Sequence, residues 1–228
     1  MLRSLLFNIA FWPVFIMYIL IMYPLAAIVS PRNVLLLVYR PVTRWLLFCL
    51  KKIADVGYEI RNTENVPSGP CIIGCNHHST WETFIFSLLF DNLSIVIKRE
   101  LLRKPIAGLY FKRLGCIPID RSSPVLAIKT LVKYGMGAHQ AGHNILIFPN
   151  GTRDSSGAQA EYKGGIYAIY KATGAPVVPV SVNSGSHWPR RSFRKIPGTI
   201  VLDFKEAIPP GLEKAAFFAE FETRMEQR

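Results

Sequence analysis

Uncharged, apolar residues dominate the start of the chain. From Ser4 to Pro31 the sequence contains no charged side chain. As a helix this stretch would be about 40 Å long at ~1.5 Å per residue, enough to cross the roughly 30 Å hydrocarbon core of a bilayer. Pro13 and Pro24 interrupt it, so the pattern fits both a spanning helix and a kinked or re-entrant one. A signal peptide fits less well, because its apolar region is normally about 7–15 residues long.

A second apolar stretch, from Asn33 to Leu50, carries two positive charges. Arg40 and Arg44 are four residues apart and therefore share one face of a helix. This pattern is typical of a helix that lies among lipid headgroups rather than crossing the bilayer. We therefore predict an N-terminal membrane-anchoring helical segment over residues 1–52, followed by one α/β domain over residues 53–228.

After residue 52 short apolar runs alternate with longer helical patterns. The predicted strands are Cys71–Cys75, Leu93–Lys98, Ile145–Phe148, Val177–Val182 and Thr199–Phe204. The predicted helices are Thr80–Phe90, Val125–Gln140, Gly164–Thr173 and a last one near Leu212–Glu226. Strands that alternate with helices favour an α/β fold whose mostly parallel central sheet is flanked by helices. A polar loop is predicted at Asp154–Gln159.

The net charge of +12 narrows the classes of partner. A basic excess suits nucleic acid, an anionic lipid surface or acidic substrates. The lysines and arginines are dispersed and no nucleic-acid-binding motif accompanies them, so an anionic membrane and phosphorylated ligands are favoured.

Four cysteines lie in apolar surroundings: Cys49, Cys71, Cys75 and Cys116. Cys71 and Cys75, with the histidines that follow, lack the ligand spacing of a zinc site. We therefore expect buried free thiols and no bound metal.

The segment from Asn76 to Glu82 carries the clearest catalytic chemistry. Histidine is the side chain whose ordinary pKa suits proton abstraction near neutral pH. Glu82, five positions after His77, is close enough in sequence to fix its tautomer and stabilise an imidazolium. The same carboxylate also has a structural explanation, because Ser79 and Glu82 have capping-box spacing. No G-x-S-x-G element supplies a protein nucleophile, which favours a substrate that brings its own hydroxyl, and His78 is treated as a neighbour of the base.

Three further blocks follow along the chain. The run Phe148-Pro149-Asn150-Gly151-Thr152-Arg153 comes after a predicted strand and ends in a guanidinium suited to phosphate. The run Gly115–Arg121 also ends in an arginine, and the run Val178–Ser184 is a strand leading into a polar turn. Each of these alone is better explained as a surface loop or a structural strand.

Taken together and in their order along the chain, the four blocks resemble the glycerolipid acyltransferase family, the PlsC-like 1-acylglycerol-3-phosphate O-acyltransferases. The residues that match the family's motifs are Asn76, His77, Ser79 and Glu82; Gly115 and Arg121; Phe148, Pro149, Gly151, Thr152 and Arg153; and Val178-Pro179-Val180. The segment Lys98–Leu101 also looks like the family's basic stretch between the first two blocks. Two residues depart from the pattern: Glu82 replaces the usual aspartate, and Asn150 replaces a glutamate.

The resemblance implies an enzyme that transfers a fatty acyl group to the 2-hydroxyl of 1-acylglycerol-3-phosphate, giving phosphatidate. The donor would be acyl-CoA or acyl-carrier protein, with no cofactor besides. The implied base is His77, oriented by Glu82. The implied substrate-binding residues are Lys98, Arg121, Asn150, Gly151, Thr152 and Arg153.

Two alternatives stay open. Asn150 removes a negative charge from the implied pocket, which leaves room for another acceptor such as a lyso-ornithine lipid. A non-catalytic membrane protein that binds lipid with the same fold is the alternative of a different class.

Basic residues gather after the first apolar stretch, at Arg32, Arg40, Arg44, Lys51 and Lys52. Basic residues of this kind mark the cytoplasmic side of a membrane. We therefore expect the domain on the cytoplasmic face of a bacterial-type inner membrane.

Overall fold

The structure is a computed structural model, and it describes residues 1–29, 32–105, 107–151 and 162–227. The predicted polar loop Asp154–Gln159 and two of the implied binding residues, Thr152 and Arg153, lie outside the described residues.

The described residues form an α/β fold. The helices are α1 Leu2–Val29, α2 Arg32–Lys52, α3 Trp81–Leu89, α4 Ala107–Arg113, α5 Pro124–Gln140, α6 Gly165–Thr173, α7 Ser184–His187 and α8 Lys214–Glu226. The strands are β1 Val56–Arg61, β2 Ile72–Cys75, β3 Leu93–Lys98, β4 Ile117–Ile119, β5 Asn144–Ile147, β6 Val177–Val182 and β7 Gly198–Phe204. Two short 3-10 helices cover Thr63–Asn65 and Arg99–Arg103.

The strands make one sheet in the order β1-β7-β6-β2-β5-β3-β4. Every neighbouring pair is parallel except β6 and β7, which are antiparallel. The predicted mostly parallel sheet flanked by helices is thus confirmed. Because β2, β3, β4, β5 and β6 are parallel, their carboxyl ends meet at one edge, where ligand sites of such sheets usually lie.

Each face of the sheet carries its own apolar core. On one face α1, α2 and α3 pack against the strands, and Phe7 and Leu50 of the first two helices are as buried as Ile73 of β2. On the other face α5, α6 and α8 cover the strands, with Ile166 and Phe217 fully buried. Burying one such side chain contributes about 1.5–3 kcal/mol, so the N-terminal helices also stabilise the fold. The division at residue 52 stays a prediction.

The outer side of α1 is apolar and exposed. Its residues Leu2–Met22 form a candidate membrane span with a mean hydropathy of 2.2. Only 11% of its most apolar 18-residue stretch is buried in the protein. The helix is continuous through Pro13 and Pro24.

All four cysteines are buried and free, as predicted. Burial raises the pKa of the Cys71 thiol to about 12, so this thiol is inert at neutral pH. Among the residues that the structure describes, no cluster of three or more histidine, cysteine or acidic side chains has the arrangement of a metal site.

Candidate active site

The carboxyl ends of β2, β5 and β6 bring together Asn76–Glu82, the described part of the Phe148 block (148–151) and Val178–Ser184. Gly74 of β2 pairs with Ile147 of β5, and Cys75 pairs with Val180 of β6. The residues that follow these strand ends therefore share the same edge of the sheet, although more than a hundred residues separate the ends of β2 and β6 along the chain.

Asn76 ties β2 to β6 just beyond the strands. Its side-chain oxygen accepts a hydrogen bond from Val182 N at 2.8 Å, and its amide donates to Val182 O at 3.1 Å. The same amide nitrogen lies 2.5 Å from His78 Nε2. His78 is therefore engaged by Asn76, and its role as a neighbour of the base stays a prediction.

Glu82 lies in the first turn of α3 and is completely buried. Its Oε1 accepts hydrogen bonds from the backbone N–H groups of His78 and Ser79, each at 3.1 Å, and Oε2 accepts a second contact from Ser79 N at 3.2 Å. Ser184, the second residue after β6, also donates a hydrogen bond from its hydroxyl to Oε1. Burial raises the pKa of Glu82, whereas the hydrogen bonds from Ser184 and the backbone lower it.

The Glu82 carboxylate therefore accepts hydrogen bonds from the backbone just before α3, as its predicted capping role requires. The predicted cap itself differs by one position, because α3 begins at Trp81 and Thr80 is its N-cap residue. Ser79 still serves the helix end, since its hydroxyl accepts a hydrogen bond from Trp81 N at 2.9 Å.

The imidazole ring of His77 faces the same carboxylate. Its Nδ1 lies 3.8 Å from Glu82 Oε2, longer than a hydrogen bond but within reach of an ion pair, and its side chain is 14% exposed. The ring stacks on Phe148, with ring centroids 4.1 Å apart and planes at 23°. With Nδ1 turned towards Glu82, Nε2 is the ring nitrogen directed away from the carboxylate, where a substrate hydroxyl would approach.

Cationic groups gather around the turn that follows β5. Gly151 has a φ of 72°, a conformation that glycine adopts without strain, and Arg121 donates a hydrogen bond to its carbonyl. Lys163 is also close: its backbone N–H donates to Pro149 O at 3.0 Å, and a Cβ placed on Gly151 would lie 3.1 Å from its Nζ. Asn150 belongs to the same turn, and within the described residues its buried Oδ1 has no hydrogen-bond partner.

A cavity of about 520 Å³ opens beside this turn. It is lined mainly by apolar residues of β3, β5, α5, α6 and α8, and its polar lining includes Arg121, Lys163 and Lys214. Phe148 connects the cavity to His77, because it lines the cavity and its ring stacks on the imidazole. An apolar cavity of this size with a few cations at its wall suits a ligand that combines a hydrocarbon chain with an anionic head.

The predicted site residues are thus brought together to different degrees. Direct contacts join His77 to Glu82 and Arg121 to Gly151. Lys98 ends β3, is exposed, and pairs in register with Ile119 of β4, which places it at the same sheet edge.

Three residues at the site were not predicted from the sequence: Ser184, Lys163 and Lys214. Ser184 was treated as part of a structural strand and turn, although a polar residue just past a central strand was the available signal. Lys163 belongs to no motif, and only the fold brings it next to Gly151.

Comparison with known proteins agrees with this geometry. The acyltransferase family model matches residues 57–183. The 1-acyl-sn-glycerol-3-phosphate acyltransferase of Pseudomonas aeruginosa is 40% identical over 183 residues, which are 80% of this chain and 71% of that protein. The proteins of that name from Cocos nucifera and, as the alpha form, from Mus musculus are 30% and 27% identical, and the match covers 59% and 62% of their lengths.

A solved structure shares the fold. The crystal structure of the 1-acyl-sn-glycerophosphate acyltransferase PlsC from Thermotoga maritima is similar with a TM-score of 0.74 at 21% identity, over 97% of this chain and 93% of that chain. The family model and the Pseudomonas relative identify the family, and the fold is consistent with them. The chain therefore belongs to the acyltransferase family.

Proposed function

We propose that the chain acylates the 2-hydroxyl of 1-acylglycerol-3-phosphate to give phosphatidate in phospholipid biosynthesis. The observation that carries the proposal is the placement of His77 between a buried carboxylate and a turn flanked by cations. The names of the relatives point to the same acceptor.

The reaction is a direct transfer with His77 as general base. His77 Nε2 takes the proton of the 2-hydroxyl, and the hydroxyl oxygen attacks the thioester carbonyl of acyl-CoA or acyl-carrier protein. The tetrahedral intermediate then collapses, the carbon–sulfur bond breaks, and the thiolate leaves with the proton that His77 returns. Glu82 stabilises the imidazolium between these two proton transfers, and base catalysis of this type contributes about 10²–10⁴-fold.

The phosphate of the acceptor would bind at the turn after β5. Arg121 and Lys163 flank Gly151 there, and Lys98 lies at the same sheet edge. We extend the phosphate site to Asn150, Thr152 and Arg153, which complete the motif that resembles the family's phosphate block. Two or more cations near one phosphate hold the acceptor in place, and positioning of this kind lowers the barrier of the chemical step.

The cavity beside Phe148 provides apolar space for one hydrocarbon chain of the substrates. The lyso-ornithine alternative rests on the neutral Asn150, but the headgroup of that lipid pairs a carboxylate with a cationic amine and has no net negative charge. Arg121, Lys163 and Lys214 at the cavity would repel such an amine and attract a phosphate, so we favour the phosphate-bearing acceptor.

We also propose that α1 lies in the membrane surface rather than crossing it alone. Its early residues Phe7 and Phe11 are buried in the core, and Tyr18 packs against Tyr110 of α4. The helix therefore follows the domain for about three turns, with its apolar outer side left for lipid. The site would open to the cytoplasmic face of the inner membrane, and protease protection of the domain in sealed inverted vesicles would contradict this orientation.

Thioester consumption with a panel of lysolipids tests the reaction. His77→Ala should lower kcat by about 10²–10⁴-fold while lysolipid binding persists, because only the proton acceptor is lost. His78→Ala is the neighbouring control and should be much milder. If the two variants exchanged their effects, His77 would not be the base. If no lysolipid stimulated thioester consumption by the wild-type chain, the non-catalytic alternative would replace this proposal.

A further inference from the structure

The segment Trp188–Pro197, which joins α7 to β7, is strongly basic and is not used by the proposed reaction. We call this segment the basic loop. It contains Arg190, Arg191, Arg194 and Lys195 and no acidic residue.

The basic loop is fastened to the first turns of α1. Ser4 Oγ accepts a hydrogen bond from Lys195 N at 2.9 Å and donates one to Lys195 O at 3.3 Å, and Asn8 Nδ2 donates to Phe193 O at 3.1 Å. The Lys195 ammonium lies 5.1 Å from the ring centre of Phe7 and 4.7 Å from that of Trp188. These contacts place the loop at a fixed position next to a helix whose outer side is apolar and exposed.

Other side chains of the basic loop point into solvent. Phe193 is 52% exposed and Ile196 is 39% exposed, so the loop presents two large apolar side chains beside its arginines. Arg191 and Arg194 are exposed as well. On α1, Leu5 and Ile9 neighbour the anchoring residues in sequence and are exposed too. The loop thus adds apolar and cationic groups to the exposed side of the membrane helix.

We propose that the basic loop binds the headgroups of anionic phospholipids, with Phe193 and Ile196 inserted at the bilayer surface. The charge is complementary to an anionic leaflet, and the apolar side chains continue the lipid-facing side of α1. An acidic soluble protein would match the arginines but would leave the exposed Phe193 and Ile196 unexplained. The lipid surface is therefore the occupant that explains both.

Flotation of the full-length chain with vesicles measures the effect. Wild type should partition more strongly into vesicles of phosphatidylcholine with phosphatidylglycerol than into phosphatidylcholine alone, and added salt should reduce the difference. An arginine at an anionic surface contributes roughly fivefold in affinity, so Arg191→Glu/Arg194→Glu should lose at least about 25-fold on the anionic vesicles. Its partition into phosphatidylcholine vesicles should stay unchanged, because α1 is intact.

The matched control is Lys129→Glu/Lys133→Glu on the exposed side of α5, which makes the same change in net charge away from the loop. It should keep most of the preference for anionic vesicles. Arg191→Gln/Arg194→Gln provides a milder variant should the charge reversal disturb folding, and thermal melting of each variant checks the fold.

An environment-sensitive dye on Ser192→Cys reports the contact directly. The native cysteines are buried, so labelling favours the new thiol. The emission should shift to the blue on anionic vesicles in the wild-type background and much less in the charge-reversed one. Equal losses in the loop variant and the Lys129/Lys133 control, or an unshifted dye, would overturn the proposal. A loop variant that lost only affinity for a carrier-protein thioester would assign the loop to the acyl donor instead. None of these readouts requires acyl transfer, so they stand apart from the test of the reaction.

Discussion

Replacing Ser184 with alanine tests how the buried carboxylate is held. The Ser184 hydroxyl donates to Glu82 Oε1, whereas Oε2 is the oxygen 3.8 Å from His77 Nδ1. The alanine variant leaves the backbone donors of His78 and Ser79 in place, so α3 keeps its cap. What it loses is the side-chain donor that helps to orient the carboxylate towards the imidazole.

The size of the effect follows from the bond that is lost. A hydrogen bond to a charged group contributes about 1.5–3 kcal/mol, and two backbone donors remain, so we use the lower end. About 1.4 kcal/mol corresponds to tenfold in rate, so kcat should fall about tenfold while KM for the lysolipid changes little. Because the Ser184 hydrogen bond lowers the pKa of Glu82, its loss raises that pKa further, and the loss of activity on acidification should begin at a higher pH than in the wild type.

The assay is thioester consumption over a pH series. Ser184→Thr retains a hydroxyl and should recover most of the rate. Ser94→Ala is the matched control, because Ser94 is equally buried and its hydroxyl contacts His143 Nδ1 at 3.2 Å, away from the site. If Ser184→Ala had wild-type kcat at every pH, or if Ser94→Ala lost as much activity, Ser184 would not position Glu82.

Four further predictions concern the phosphate site, the acceptor, the basic loop and the N-terminal helices. Arg121→Ala should raise KM for lysophosphatidate more than it lowers kcat, because a binding contact is lost, and steady-state kinetics will show an unchanged KM if the assignment is wrong. Asn150→Glu should leave activity on lysophosphatidate intact or improve it; a shift of preference from another lysolipid towards lysophosphatidate would identify that lipid as the natural acceptor. Burial lowers the pKa of Lys195 from 10.5 to about 8. Between about pH 8 and 10.5 this residue therefore holds more protons in the unfolded chain than in the folded one. Relative to Lys195→Met, the free energy of unfolding of the wild type should therefore rise as pH increases from about 8 to 10.5. Denaturant unfolding of both proteins measures this difference, and the buried thiols, whose raised pKa values lower stability over the same range, contribute equally to both. Deletion of residues 1–52 should abolish activity even on a short-chain soluble lysolipid, since it exposes one apolar core, and an active soluble product would refute this.

The inner strands were predictable because most of their residues are apolar and buried. The predicted bounds of β3 and β6 agree with the structure, and those of β2, β5 and β7 differ by one residue at one or both ends. The edge strands β1 and β4 were missed, as was α4. β1 mixes buried and exposed residues without clear alternation, and β4 has three residues with Pro118 in the middle, so neither gives a clear pattern.

The site was predictable where it is local in sequence. His77 and Glu82 are five residues apart, and one turn of helix brings the carboxylate back to the histidine. Ser184 meets the same carboxylate from 102 residues away, and that contact depends on β2 and β6 being neighbours in the sheet. Periodicity predicts that strands exist but not their order, so the residues beyond the ends of two neighbouring strands were not brought together from the sequence.

The two N-terminal helices and the His77–Glu82 pair are connected through one side chain of α3. Phe84 lies two residues after Glu82, and the ring of Tyr39 from α2 stacks on it at 5.6 Å. Phe11 and Phe15 of α1 pack against the same ring, with centroids at 6.4 Å and 5.7 Å. The helix that carries Glu82 is therefore braced by both N-terminal helices. A lipid surface that bound these helices would therefore also set the orientation of the proposed His77 site relative to the bilayer.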